Sequence, residues 1–305
     1  MQGNAELKKY KVLCPLINFQ IPWGVLLRSP GMTDEEAKRI FEKRKEKAVK
    51  GINLVEGVKI RQISKEDLED LKTYPFPYPT DIRGLISPRM FVLEKQIKVE
   101  KEQVFGLREI MQNIILSLRL LKGGLVFGSC TFHVRLAKKR QVTSWSYEED
   151  RPRNAISYVL NFEEVPRLRK IVRKIQSVDF SKRKSLDLAC RRFQRAYEEM
   201  DVEDRLIDLM IAFEALFLRV ERRVSSKGKL IAVACSTLLG KNEKEREDIK
   251  QKLVEAYSIR NCIVHGSEYS RIVQHGKGDV YVDTLPDLVS EVENYLRESI
   301  IKLLD

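Results

Sequence analysis

From Leu186 to the end of the chain, apolar residues recur at helical spacing in five runs. They are LDLACRRFQRAYEEM, EDRLIDLMIAFEALFLRVERR, KLIAVACSTLLG, EREDIKQKLVEAYSIRNCIVHG and LPDLVSEVENYLRESIIKLL. Each run is amphipathic and the breaks between them are short, which predicts a helical bundle over residues 185–305. One gap, 267–283, is polar and glycine-containing and reads as loop.

The first ~180 residues carry a different rhythm, alternation of period two interrupted by helical stretches. KYKVLCPLINFQI reads as a strand, and INLVEGVKIRQIS as a strand pair turning at Glu56-Gly57. Phe91, Leu93, Ile97 and Val99 alternate as in a half-buried strand. Val126, Cys130, Phe132, Val134 and Leu136 do the same, which assigns Thr131, His133 and Arg135 to an opposite, polar face. AISYVLNF (155–162) is a further strand. DEEAKRIFEKRKEKAVKG (34–51) predicts a charged helix with a narrow apolar stripe of Ala37, Ile40 and Phe41. Val104, Leu107, Met111, Ile114, Leu118 and Leu121 mark a longer helix that stops at Gly123-Gly124. Residues 163–178 form a two-faced helix, with Leu168, Ile171, Val172 and Ile175 on one arc and Arg169, Lys170, Arg173 and Lys174 on the other. PFPYP (75–79) is an extended connector and VDFSKRKS (178–185) a linker. The pattern therefore predicts an α+β domain over 1–180 followed by an all-α bundle over 185–305. No internal repeat is visible.

Composition sharpens this outline. Of 305 residues, 43% are hydrophobic, enough to build cores, and 33% are charged, above the usual quarter. No apolar run approaches the ~18–20 residues of a membrane span, and MQGNAELKKYK has no signal-peptide core, so neither a membrane nor export is expected. The five cysteines (14, 130, 190, 235, 262) are odd in number and scattered, which suits reduced thiols and a cytoplasmic setting. The net charge is +12, unevenly spread. Residues 201–305 hold 16 basic against 19 acidic residues, whereas 135–195 hold 17 against 7. A local field of that sign favours a polyanion, and nucleic acid is the partner it suggests, with Arg169, Lys170, Arg173 and Lys174 as candidate contacts. The alternative is a set of solvated helix faces, because pattern alone does not show that the clusters share a surface.

The chemistry-bearing stretch is SIRNCIVHG (258–266). Asn261 and His265, four apart, share a helix face, whereas Arg260 and His265 stand ~7.5 Å apart along the axis and face differently. Gly266 fits the position just past a helix end, which puts His265 in the last turn. There the negative end of the helix dipole favours imidazolium and a nearby guanidinium opposes it, the setting of a histidine that exchanges protons near neutrality. The plainer reading is a histidine that caps terminal carbonyls. In LIDLMIAFEALFL, Glu214 falls in line with Ile207, Met210 and Phe217 on the stripe expected to be buried. A carboxylate there requires a cation, and Arg260 on another helix of the same bundle is the candidate.

Arg260-Asn261 followed by His265-Gly266 resembles the R-x4-6-H signature of HEPN domains, including the polar residue after the arginine. Tyr257 one turn before it and RRFQRAYEEMDVEDRLIDLMIAFEALFL upstream resemble the Apea-like branch of that superfamily. The resemblance covers about residues 185–305 and carries nothing over to the first half. It implies a bundle that pairs into a homodimer, with two motifs facing each other in a composite cleft. It implies a metal-independent endoribonuclease with no cofactor, of the kind found in toxin–antitoxin, antiviral-defence and RNA-processing systems. Carried over, His265 is the general acid/base, Arg260 the phosphate ligand and Asn261 the group that orients the scissile bond, with Glu214 and Tyr257 in support. The chemistry is attack of the ribose 2′-OH on its own phosphate. The same resemblance admits a non-catalytic RNA- or nucleotide-binding module, or the partner of a cognate antitoxin or nucleotidyltransferase.

Other constellations are weaker. Cys262, His265 and His275 offer only three zinc ligands and no second C-x2-C. His133 has no visible acid partner. Ser226-x-x-Lys229 lacks the companion motifs of a β-lactamase, and GGLVFG (123–128) follows a helix and enters a strand, the wrong order for a dinucleotide turn.

Overall fold

The structure, a computed structural model, describes residues 8–21, 32–55, 57–72, 90–99, 107–128, 130–136, 141–147, 157–218, 226–269, 273–275, 279–281 and 285–305. It divides into two compact units, one drawn from residues up to Gln176 and the other centred on Ser177–Asp305. The first is mixed α and β, the second almost wholly helical.

In the first unit an antiparallel sheet runs in the order β3(Ile52–Asn53), β4(Val58–Gln62), β5(Phe91–Val99), β1(Lys8–Ile17), β7(Cys130–Arg135), β8(Gln141–Tyr147), and β6(Phe127–Gly128) also pairs with β1. β2(Phe19–Gln20) pairs in parallel with β9(Tyr158–Val159). The helices are α1(Asp34–Lys50), α2(Lys65–Lys72), α3(Leu107–Leu121) and α4(Val165–Ser177). α1 starts in a capping box: Glu36 N–H donates to the Thr33 hydroxyl at 3.3 Å and Thr33 N–H donates to the Glu36 carboxylate at 3.0 Å. It ends at Gly51, whose φ of +96° a β-carbon would strain.

Leu13, Val92, Phe132 and Val134 on one face of the sheet pack with Ile63, Leu68 and Leu71. The other face is buried as well, and this corrects the strand reading. Thr131 and His133, assigned by alternation to a polar face, are buried, and burial pulls the His133 imidazole below its usual range. A sheet covered on both sides loses the clean in–out alternation, so period two no longer reports polarity.

The same sheet carries a buried charge network. Asp67 accepts from Lys11, from Arg61 at 2.6 Å and from the Ser64 hydroxyl at 2.6 Å, and Arg61 Nε donates to Glu94 at 2.6 Å. Burial opposes charge on Asp67 most strongly, but hydrogen bonds from Lys11 and Ser64 and the charges of Arg61 and Lys11 outweigh it, pulling the carboxyl down to about 2.

The second unit contains α5(Lys184–Ala196), α6(Val202–Phe217), α7(Lys227–Leu239), α8(Glu243–His265) and α9(Leu285–Leu303). α5 lies along α6 and α7 along α8. α9 closes the bundle with Leu288, Val292, Leu296 and Ile300 buried. Inside, Glu293 accepts from Tyr197 at 2.6 Å and from Arg205 and Arg297, tying α5, α6 and α9 together. The stretch expected to be loop between α8 and α9 contains a short hairpin, β10(Val273–His275) with β11(Asp279–Tyr281). α2 and β8 have no counterpart in the sequence pattern described above, and PFPYP (75–79) lies outside the described residues. Among those residues no helix is long and apolar enough to cross a membrane.

Candidate functional site

α8 sets the geometry of the arginine–histidine stretch. It begins at Asn242, whose side chain accepts from Glu245 N–H at 2.9 Å while Glu245 accepts from Lys241 N–H at 2.9 Å, and it runs 23 residues. Ile249, Leu253, Ala256 and Ile259 are its buried stripe. Arg260 comes one step, ~100°, after Ile259, so it stands at the edge of that stripe, with its side chain 20% exposed.

Glu214 sits in the last turn of α6, its side chain 23% exposed. Of the stripe it was aligned with, Met210 is buried while Ile207 and Phe217 are half-buried, so Glu214 stands at a margin of the core rather than within it. The Arg260 Nη2 to Glu214 Oε1 distance is 3.7 Å, an ion pair but too long for a hydrogen bond. Tyr257 supplies that bond: its hydroxyl donates to the same Oε1 at 3.1 Å. Burial first, and then the Glu214 charge, push the Tyr257 phenol above its usual range, so it remains a donor. The Arg260 guanidinium carbon lies 5.8 Å from the centre of the Tyr257 ring, within cation–π range, and Nη1 donates to the Asn261 side-chain oxygen at 3.1 Å. The guanidinium thus has an acid to one side, an aromatic ring near it and an amide in front. Its Nε is enclosed and makes no hydrogen bond among the described residues.

Gly228, in the first turn of α7, allows that ring to sit where it does. A β-carbon there would stand 2.9 Å from the Tyr257 Cγ and Cδ1, closer than such atoms approach. Contact with the α7 backbone therefore fixes the ring, which in turn carries the hydroxyl to Glu214.

At its C-terminus α8 closes on Gly266 at φ +66°, with Gly266 N–H donating to the Ile263 carbonyl at 3.1 Å and Ser267 N–H to that of Cys262 at 2.8 Å. His265 is in the last turn and exposed. Among the described residues no hydrogen bond or ion pair joins it to Arg260, Asn261 or a terminal carbonyl. Its ring is therefore accessible to a ligand from solvent.

Comparison with family models, with curated proteins and with solved structures finds no match to this chain. The site rests on its own geometry.

Arg260, Asn261, Tyr257 and Glu214 come together, with His265 further along the same helix. The basic arc of α4 belongs to the first unit. Within it Lys170 and Arg173 are exposed, Lys174 is half-buried, and Arg169 Nε is engaged with the Asn53 carbonyl at 2.8 Å. Arg169 is thus partly tied to its own fold, and Lys170 and Arg173 are the members best placed for a partner. Gly228 escaped the sequence reading, because S-K-G-K before an apolar run reads as a loop entering a helix. The structure starts the helix at Lys227, two residues before the run KLIAVACSTLLG.

Proposed function

We propose that the C-terminal bundle is an Apea-like HEPN domain acting as a metal-independent endoribonuclease. Arg260, with Asn261, binds the scissile phosphate, and His265 moves the proton between the attacking 2′-OH and the leaving 5′-oxygen. The observation that carries this reading is the Glu214–Tyr257–Arg260 assembly beside an exposed histidine on the same helix. An arginine oriented by an acid and a ring is prepared for a phosphate oxygen, because its reorganisation on binding is already reduced. An imidazole in water can approach the proton it must move.

Cyclising phosphoryl transfer needs both a base and an acid, and one histidine supplies one of them at a time. A homodimer whose two α8 ends meet supplies two. Leu230 and Val233 on α7 and Val254 and Val264 on α8 leave apolar side chains exposed, which supports self-association through this hairpin.

The test is incubation of the full chain with mixed RNA in EDTA. Wild type should leave cyclic phosphate and 5′-OH ends, and His265→Ala should lose roughly 10²–10⁴ in rate at unchanged thermal stability. Excess His265→Ala protein, after subunit exchange, should suppress wild-type activity rather than dilute it. RNA that is bound but never cut by wild type would replace the nuclease with a binding module.

A further inference from the structure

Gly228, the second residue of α7, is buried. It is helical and has no positive φ, unlike Gly51, Gly57, Gly124 and Gly266. Backbone conformation therefore does not require glycine there, and alanine is the better helix former at such a position. The reason lies in clearance. A β-carbon at residue 228 would stand 2.9 Å from the Tyr257 Cγ and Cδ1 and 3.1 Å from its Cβ. Carbon atoms rest at about 3.5–4.0 Å, so relief requires a shift of roughly half an ångström or more. The atoms struck are at the root of the side chain, not at a tip that could swing aside. The whole ring or the α7 backbone has to move.

That ring directs the arginine. Its hydroxyl donates to Glu214 Oε1 at 3.1 Å, already longer than the usual length of about 2.7–2.8 Å. The same oxygen is the ion-pair partner of Arg260 at 3.7 Å, and the ring centre lies 5.8 Å from the guanidinium carbon. Of the contacts that orient the guanidinium, only the one to the Asn261 side chain belongs to α8 without the ring. The others pass through Tyr257 and the carboxylate it holds.

We propose that Gly228 is a positioning residue for Arg260: by leaving room for the Tyr257 ring against the first turn of α7, it sets the direction in which the guanidinium is presented. The assignment rests on the reading of Arg260 as a phosphate ligand, and it adds to that site a residue outside the arginine–histidine stretch. Gly228 touches neither the phosphate nor the proton. Its effect reaches RNA only through Tyr257.

The test is a double-variant cycle on the full chain, with G228A, Y257A and G228A/Y257A set against wild type. Cleavage of RNA in EDTA is one readout. The other is alkaline titration of the Tyr257 phenol, taken in wild type and in G228A as the difference from the same protein carrying Y257F. Wild type should show a phenol held above its usual range, by burial first and then by the Glu214 charge. G228A should return it toward that range and slow cleavage by about 10–100-fold, as a misplaced binding group does. Y257A should lose a similar amount. G228A/Y257A should lose no more than Y257A, because the ring that the new β-carbon would strike is gone. A glycine needed only by its own helix predicts losses that add. Additive losses, G228A cutting as fast as wild type, or an unmoved phenol each overturn the assignment. Should G228A not fold, G228A/Y257A should, and failure of both overturns it as well. If wild type cuts no RNA while the phenol moves in G228A, the nuclease reading fails and the hold of Gly228 on the ring stands. If wild type cuts and the phenol does not move, the nuclease reading stands and the positioning role fails.

Discussion

Two charge clusters in this chain contain similar residues and are built for different ends. In the first unit, Lys11, Arg61, Asp67 and Glu94 are buried, and Asp67 alone accepts from three side chains. In the second, Glu214, Tyr257 and Arg260 are each part-exposed, and the ion pair is stretched to 3.7 Å. The first has its charges matched inside the protein, leaving little for a ligand. The second holds its arginine loosely enough that a phosphate oxygen can compete for it. A saturated network fixes a fold, and an incompletely satisfied one offers a binding group.

The largest effect separating the two clusters should come from Asp67→Ala. It leaves the Lys11 and Arg61 charges buried beside a lost acceptor, and chemical denaturation should register a loss of roughly 3–5 kcal/mol. A loss under 1 kcal/mol would mean the network is hydrated. The same carboxylate predicts an acid limb. Its folded value near 2 lies below the ordinary 3.8, so its contribution is complete above about pH 4 and disappears as pH falls toward 2. That limb is worth about 2 kcal/mol at 1.36 kcal/mol per unit, and a pH series of denaturant midpoints should show it in wild type and not in Asp67→Ala.

Glu214→Ala is expected to be milder for stability, about 1 kcal/mol, because the pair is part-exposed and long. Its signature is functional: RNA cleavage should fall well beyond what the stability change explains, and Glu214→Gln, which keeps an acceptor for Tyr257, should recover part of it. Equal activity in all three proteins would show that the arginine needs no such support. The smallest stability effect belongs to the exposed arc of α4. Charge reversal at Lys170 and Arg173 should change stability by less than about 0.5 kcal/mol, as exposed substitutions do. RNA affinity should nonetheless drop and its salt slope flatten, as read by filter binding across a salt series. Adding Arg169→Glu should cost measurable stability, since that side chain holds the Asn53 carbonyl.

Much of the helical half was legible because amphipathic spacing is a local property. Leu288, Val292, Leu296 and Ile300 repeat every four residues whether or not their neighbours are known, and they are buried. The stop signal Gly266 is equally local, and it is used at a helix end. The SIRNCIVHG stretch announced polar residues on an apolar helix and a sharp stop at glycine, both of which need only the chain itself to be seen.

What the sequence could not decide was which side chains meet from distant positions. Burial of His133 depends on how the second face of the sheet is covered, and no alternation pattern encodes a neighbour layer. The short α2 was hidden because eight residues carry too few periods to stand out, and its Asp67 owes its state to Lys11 on strand β1, 56 positions away. Glu214 and Arg260, 46 positions apart, likewise meet only when α6 and α8 pack, and the 3.7 Å between them follows from how far apart those backbones sit. Gly228 makes the same point in one atom. In the sequence it is a loop-like glycine before a helix, and only the approach of Tyr257 makes the missing β-carbon necessary. Propensity and periodicity are written along the chain, whereas charge pairing and steric clearance are properties of surfaces that exist only after distant segments have been brought together.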